Sequence, residues 1–371
     1  MKYYIISGEA SGDLHGSNLM KAIFEQDLKA EIRFWGGDLM AEVGGTLVSH
    51  YKERAFMGFA EIITNLSKIF SFIKFCKKDI LKFNPDKIIF IDNSGFNLRI
   101  AKWAKINKFR TVYYISPQVW ASRPGRVKDI KRDIDEMYVV LPFVKDFYKK
   151  YDYNVNFVGH PLLDAIANRK KIHEIEFKKQ HNLSDKPIIA LLPGSRKQEI
   201  KKMLSIMLSV AKKFQDYQFV IAGAPSQEYD FYKQFITDEN VKFISNKTYE
   251  LLSISYAALV TSGTATLETA LLKVPEVVCY KTSWLSYQIG KRLIDLKFIS
   301  LVNLIMDKEV VKELIQEDFN KSNLEIEMKK ILNDSERSKM FLDYYDLEKK
   351  LGGVGASTKA AKLIVSTTPK L

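Results

Sequence analysis

In the first half of the chain, two acidic residues stand where apolar runs end. Lys2–Ser7 gives way to the loop Ser7-Gly-Glu-Ala-Ser-Gly-Asp13, and a second run, Ile88-Ile-Phe-Ile, ends on Asp92 within Asp92-Asn-Ser-Gly-Phe-Asn97. A carboxylate held at the end of a buried strand, beside apolar residues that raise its pKa, suits general-base chemistry on a hydroxyl. Glu9 would repel an anion, so these loops read as a place for hydroxyl groups. The glycine spacing is not G-x-G-x-x-G, so no dinucleotide fingerprint is present. A structural role stays open beside the chemical one, because Asp13, Asp92 or Asn93 at the start of a helix is a natural N-cap.

The second half carries the opposite chemistry. Pro193-Gly-Ser-Arg196 follows the apolar run 187–192, and Leu259-Val-Thr-Ser262-Gly-Thr264-Ala-Thr-Leu-Glu268 follows another. Gly194 and Gly263 permit tight turns, and amides at a helix start attract phosphate. Arg196 offers a two-pronged fork for phosphate oxygens, with Ser195, Ser262 and Thr264 as further polar contacts. Glu268, one helical turn beyond Thr264, is placed to accept ribose hydroxyls. An ordinary surface or capping role for Glu268 is the competing reading. Together these parts point to a nucleoside diphosphate in the second half and a hydroxyl-bearing acceptor in the first.

These loops require elements that hold them. Apolar runs at 2–7, 32–35, 87–91, 111–115 and 137–141 alternate with helical stretches such as 14–28, and the pattern restarts at 187–192, 218–222, 241–244, 258–260 and 277–280. A helix is expected over about 198–214. Short apolar runs between helices predict parallel sheets covered on both faces. The expected fold is therefore α/β, with two Rossmann-like domains facing a cleft and a mostly helical region from Trp284 onward. Ligands in such folds sit at the carboxyl ends of the strands. The expected divisions are an acceptor and membrane domain at 1–167, a nucleotide-sugar domain at 168–345, and a helical segment 346–371 that returns to an N-terminal domain, its own or a partner's.

Composition narrows the class. The 371 residues are 46% hydrophobic and 27% charged, ordinary for a globular protein of two domains. Cys76 and Cys279 are far apart and belong to no Cys/His cluster, so neither a zinc site nor a disulfide scaffold is expected. The longest uncharged run, 251–267, is too short to span a bilayer, and the N-terminal apolar stretch is too short for a signal-peptide core, so a cytoplasmic location is expected. The net charge of +13 is spread evenly, with 25 basic against 18 acidic residues in 1–160 and 32 against 26 in the rest. An even excess suits a polyanionic ligand or an anionic lipid surface better than a localised nucleic-acid stripe.

One stretch suggests that surface. Residues 57–83 carry Met57, Ile62, Ile63, Leu66, Ile69, Phe70, Ile73 and Ile80 near helical spacing, widened by Phe59, Phe72, Phe75 and Phe83. Lys68, Lys74, Lys77, Lys78 and Lys82 lie among them against the single acid Asp79. A wide apolar face bordered by lysines is what an interfacial helix needs, with Phe70, Phe72, Phe75, Lys74, Lys77 and Lys78 as the contact residues. A core helix packed on the sheet is the alternative.

Beyond these local readings, an ordered set of motifs spans nearly the whole chain. It runs Ser7-Gly-Glu-Ala-Ser-Gly-Asp13, Phe56-Met-Gly58 with Glu61, Ile91-Asp92 with Phe96-Asn97, Ser116-Pro-Gln-Val-Trp-Ala121, Phe157-Val-Gly-His-Pro161, Leu191-Leu-Pro-Gly-Ser-Arg196, Ser262-Gly-Thr264 with Glu268, and Ser300-Leu-Val-Asn303. The set resembles the lipid-A-disaccharide synthases. The resemblance implies an inverting, metal- and cofactor-independent glycosyltransferase of the GT-B fold, working in lipid A (lipopolysaccharide) biosynthesis. It implies a UDP-diacylglucosamine donor and a diacylglucosamine 1-phosphate acceptor, joined in a β-1,6 linkage with release of UDP. It also implies peripheral attachment to the cytoplasmic face of the Gram-negative inner membrane, and it brings in a homodimer with exchanged C-terminal segments. By the same resemblance Asp92 is the general base, Glu9 an essential cleft carboxylate, and Arg196, Glu268 and Asn303 serve UDP-sugar binding or activity. Two positions depart from the pattern. A second acid usual after Asp92 is absent from Asp92-Asn-Ser-Gly-Phe-Asn97, and Ser122 stands where an aromatic is usual.

Two rival readings predict different behaviour. A nucleotide-sugar epimerase would share the phosphate loops but has no use for the Phe/Lys-rich segment. A nucleic-acid binder would need a localised basic stripe with stacking aromatics.

Overall fold

The structure, a computed structural model, describes residues 1–54, 66–122, 124–282 and 297–367. Two compact units emerge, one of Met1–Ala167 together with the segment from Leu351, the other of Asn168–Lys350.

The first unit is built on seven parallel strands: β1 (Lys2–Ser7), β2 (Glu31–Gly36), β3 (Thr46–His50), β4 (Lys87–Ile91), β5 (Arg110–Tyr114), β6 (Glu136–Val139) and β7 (Asn156–Phe157). Their order across the sheet is β3-β2-β1-β4-β5-β6-β7. The second unit holds six more: β8 (Ile188–Leu192), β9 (Gln218–Gly223), β10 (Val241–Ser245), β11 (Ser255–Thr261), β12 (Glu276–Tyr280) and β13 (Lys312–Ile315), in the order β10-β9-β8-β11-β12-β13. All the pairings are parallel. The central strands read as unbroken apolar runs because helices cover both faces; Tyr3, Tyr4, Ile5 and Ile6 of β1 and Ile188–Leu191 of β8 have no exposed surface.

Each sheet has one place where the strand order reverses direction: between β1 and β4 in the first, between β8 and β11 in the second. Connections leaving the two strands there diverge to opposite faces, which opens a crevice at their carboxyl ends. Ser7 pairs with Ile91 and Leu192 with Val260, so the loops after these strands are neighbours.

Edge strands depart from the expected pattern. β3, β7 and β13 are short and polar, and β13 interrupts a region expected to be helical. The helix expected over 198–214 ends at Leu208 and is followed by a separate turn at Ala211–Lys213. The helix Asp334–Lys350 runs across the expected junction at 346, and the chain re-enters the first unit at Leu351.

The returning helix Ala356–Ser366 is held at its two ends by charges of opposite sign. Asp164 accepts from the backbone amides of Gly355 (2.6 Å) and Ser357 (2.8 Å) at its start. At its end the buried Lys87 ammonium donates to the carbonyls of Ile364 and Thr367 and to Thr367 Oγ1. An anion at a helix N-terminus and a cation at its C-terminus both oppose the helix dipole. None of the described helices is long and apolar enough to cross a membrane.

Candidate functional site

In the first unit, Glu9 and Asp92 sit at the switch point between β1 and β4. Glu9 occupies the N-cap position of the helix Ala10–Gln26, but its side chain makes no capping bond and is exposed. Asp13 does not cap that helix either. It is buried and turned to the next one, Asp38–Val43, accepting from the amides of Gly37 (2.7 Å), Leu39 (3.1 Å) and Met40 (3.1 Å). Asn93 is the N-cap of the helix Ser94–Ile106 and makes no side-chain capping bond. The capping alternatives for Asp13 on Ala10–Gln26 and for Asp92 and Asn93 on Ser94–Ile106 therefore fall away.

Asp92 is open to solvent on one side and crowded by protein on the others. Loss of water and the neighbouring Glu9 carboxylate both raise its pKa, against a hydrogen bond from the Asn93 amide that lowers it. Its backbone is left-handed (φ 45°), as is that of Asn93 (φ 41°). Two consecutive non-glycine residues in that region mark stored strain. The bend is held through the Asp92 carbonyl, which accepts from Asn97 Nδ2 (2.8 Å) and from the Tyr113 hydroxyl. Asn97 Nδ2 also reaches the carbonyls of Ile91 (3.1 Å) and Ile6 (3.4 Å), tying the ends of β4 and β1 together. Gly8 completes the turn: a Cβ there would lie 2.0 Å from Asn93 Nδ2.

In the second unit the loops after β8 and β11 form the other switch point. Gly194 is left-handed (φ 101°) and lets the chain turn into the helix Lys197–Leu208. Ser195 is exposed, and its carbonyl is braced by Ser226 Oγ (2.9 Å) and Gln227 Nε2 (3.3 Å). Arg196 is 82% exposed and paired with Glu199 at 3.0 Å. A pair so exposed contributes little to stability, so exchange of Glu199 for a phosphate oxygen costs little. Gly263 precedes the helix Thr264–Leu271, and no side-chain cap covers the first amides of either helix. Those amides lack intrahelical partners and face the same end of the sheet.

Three expected site residues behave differently. The Ser262 hydroxyl donates to the carbonyl of Ile299 (3.0 Å), which leaves Thr264 as the exposed hydroxyl of that loop. Glu268 is half-buried and accepts from the Tyr249 hydroxyl (2.9 Å); burial raises its pKa and the hydrogen bond opposes the rise. Asn303, expected to serve the donor, has no exposed surface. Its amide donates to the Val311 carbonyl and Glu313 Oε1 and accepts from the amides of Val310 and Val311. All its side-chain hydrogen-bonding capacity is occupied in bracing that turn.

The helix Leu66–Phe83 separates its two readings by face. Phe72 packs edge-on against Trp35 (6.3 Å between centroids), and Lys77 lies 5.5 Å over the Trp103 ring, so both belong to the inner face or its margin. Phe70, Phe75 and Leu81 are exposed (65%, 47% and 56%), with Lys74 and Lys78 beside them. Phe75 also touches Trp35, at 5.9 Å between centroids. Asp79 turns inward: it takes a two-pronged bond from Arg33 (2.8 Å each) and one from the Tyr4 hydroxyl (2.8 Å). The lysines of the outer face therefore keep their charge uncompensated by the acid that the sequence set against them. The motif residues Phe56, Met57, Gly58 and Glu61, with Phe59, Ile62 and Ile63, lie outside the described residues.

Sequence reasoning missed Tyr113, Tyr249, Glu199 and Leu81. The first two come from distant elements and carry no local signal; Leu81 falls on the Phe70 stripe at helical spacing and was legible there.

Comparison with known proteins adds the family. The family model described as lipid-A-disaccharide synthetase matches residues 3–365. The lipid-A-disaccharide synthase of Coxiella burnetii (strain Dugway 5J108-111) is 39% identical over 335 residues, covering 89% of this chain and 88% of its own. That of Syntrophus aciditrophicus (strain SB) is 38% identical over 376 residues, covering 99% and 97%. Among solved structures, the UDP-GlcNAc 2-epimerase of Neisseria meningitidis, bound to UDP-GlcNAc, superposes with a TM-score of 0.71 at 14% identity, covering 99% of this chain and all of its own. That likeness is one of fold, and the fold is of GT-B type. The match along the sequence is of another order, and by it the chain belongs to the lipid-A-disaccharide synthetase family.

Proposed function

We propose that the chain joins UDP-diacylglucosamine to diacylglucosamine 1-phosphate in a β-1,6 linkage and releases UDP, with its two switch points dividing the work. Arg196, Gly194, Ser195, Thr264 and the uncapped helix amides hold the diphosphate, and Glu268, braced by Tyr249, accepts the ribose hydroxyls. Asp92 takes the proton from the acceptor hydroxyl as that oxygen attacks the anomeric carbon. The bond from that carbon to the diphosphate breaks on the opposite side, its electron pair leaves with UDP, and the configuration inverts. Glu9 keeps the site negative and raises the affinity of Asp92 for the proton it must take.

The observation that carries this reading is the placement of both sets of groups: Glu9 and Asp92 at the reversal of one sheet, the glycine turns and Arg196 at the reversal of the other. The magnitudes suit the task. A general base contributes roughly 10²–10⁴-fold, and one well-placed donor to a developing anion about 3–4 kcal/mol.

The outer face of the helix Leu66–Phe83 supplies the lipid surface: Phe70, Phe75 and Leu81 enter the acyl boundary, and Lys74 and Lys78 meet anionic headgroups of the inner membrane. The acylated substrates are then reached without leaving that surface.

Radiolabelled UDP-sugar tests the reaction class. UDP release that requires the acylated acceptor and persists in EDTA supports the proposal, since helix amides and Arg196 meet the diphosphate charge. Conversion of the UDP-sugar without acceptor marks an epimerase and overturns it.

A further inference from the structure

We infer that Tyr113 is a positioning residue for sugar transfer: its buried hydroxyl clamps the Asp92 carbonyl and so keeps that residue in the left-handed turn that presents its carboxylate beside Glu9. The inference rests on Asp92 being the base.

Tyr113 lies on β5, next to β4, in register with Phe90, and its ring packs on Phe90 at 5.8 Å between centroids. From there the hydroxyl reaches the Asp92 carbonyl, one residue beyond the end of β4, which it shares with Asn97 Nδ2. Tyr113 has no exposed surface, and burial together with Asp92 pushes its pKa well above the usual tyrosine value, so it is a donor at every working pH. A non-glycine residue at φ 45° carries a backbone cost that its surroundings must offset. Here relaxation would leave the buried Tyr113 hydroxyl without its acceptor, which is costly. The side chain follows the backbone: with the clamp removed, the Asp92 carboxylate swings away from Glu9. Asn97 alone cannot replace the clamp, because its amide is divided among three carbonyls. Among the described residues, the titratable groups facing this carboxylate are Glu9 from the loop after β1 and Tyr113 from β5.

Tyr113→Phe removes the hydroxyl and keeps the ring. Full-length protein carrying Tyr113→Phe, Asp92→Asn, or both should be compared with wild type for kcat, KM, UDP affinity, thermal unfolding and the pH dependence of kcat. Tyr113→Phe should lower kcat by about 10- to 100-fold, with KM and UDP affinity within twofold. Its acid limb should move to lower pH, because the carboxylate leaves the neighbour and the crowding that raise its pKa. In the Asp92→Asn background the same change should cost less than twofold, since a group acting through Asp92 has nothing left to act on. A kcat within twofold of wild type, or a loss of equal size in both backgrounds, overturns the role of Tyr113. A rise in KM and a fall in melting temperature with kcat and the acid limb unmoved would mark it as a packing residue only. If Asp92→Asn itself keeps more than a tenth of wild-type kcat, the assignment of Asp92 fails, and that of Tyr113 with it.

Discussion

At the ends of β1 and β4, the first domain sets two carboxylates, that of Glu9 on extended backbone and that of Asp92 on a backbone bent left-handed and held there by Asn97 and Tyr113. At the ends of β8 and β11, the second domain meets the same topological position with a left-handed glycine, uncapped helix amides and an exposed arginine. In the proposed mechanism, one scaffold thus presents a proton acceptor in one copy and an anion holder in the other. The strand order places the sites; the residues at the loop tips decide what each can do. The rigidity differs too. The first site holds the Asp92 backbone through hydrogen bonds to its carbonyl, whereas the exposed Arg196 side chain is paired with the half-buried Glu199.

The contrast is broken most severely at Asp92. Asp92→Asn should lower kcat by roughly 10²–10⁴-fold. A base works deprotonated, so the rate should fall as pH drops through its pKa. Because that pKa is raised, the acid limb of wild type should lie above the ordinary aspartate value of about 3.9. Steady-state rates across pH check both; a limb at or below the ordinary value would speak against the pairing with Glu9.

The second domain should respond in binding instead. Arg196→Ala and Glu268→Ala should each weaken UDP affinity by about 1.5–3 kcal/mol, the size of a hydrogen bond involving a charged group. Titration of each variant with UDP decides this, and unchanged affinity in both would remove the diphosphate from this switch point.

The proposed membrane face belongs to the first domain. Changing Lys74 and Lys78 together to Glu should release the protein from anionic vesicles at low salt by at least about 2 kcal/mol, near 1 kcal/mol per lysine. Folding should be unaffected because both side chains are exposed. Co-sedimentation equal to wild type would show that this face is not the anchor.

The smallest effect concerns the turns themselves. Gly194→Ala places a Cβ at φ 101° and 3.0 Å from Glu199 Oε2, and should destabilise the protein by about 1–2 kcal/mol. Equilibrium denaturation measures it; no loss would mean the turn relaxes freely.

Much of this was legible in the residues. The central strands β1, β4 and β8 carry apolar runs bounded by glycine or charge, and the groups that do chemistry follow them directly. The edge strands β3 (Thr-Leu-Val-Ser-His) and β13 (Lys-Glu-Leu-Ile) were not legible because neither carries an unbroken apolar run. The partners of Asn303 and Asp79 were not legible for a related reason: a polar residue in a motif or on a helix can turn inward when tertiary structure offers it partners, and only packing shows that Val310, Val311 and Glu313 surround the one while Arg33 and Tyr4 meet the other. Tyr113 and Tyr249 lie one strand or one helix away from the carboxylates they serve, a proximity that no local pattern records.

Calorimetric titration of UDP into Asp92→Asn and Arg196→Ala, side by side with wild type, tests the division of labour most directly. The account predicts that Asp92→Asn binds UDP within twofold of wild type while Arg196→Ala binds it at least about tenfold more weakly, the lower end of what loss of a charged hydrogen bond costs. A large loss of UDP affinity in Asp92→Asn with none in Arg196→Ala would contradict it.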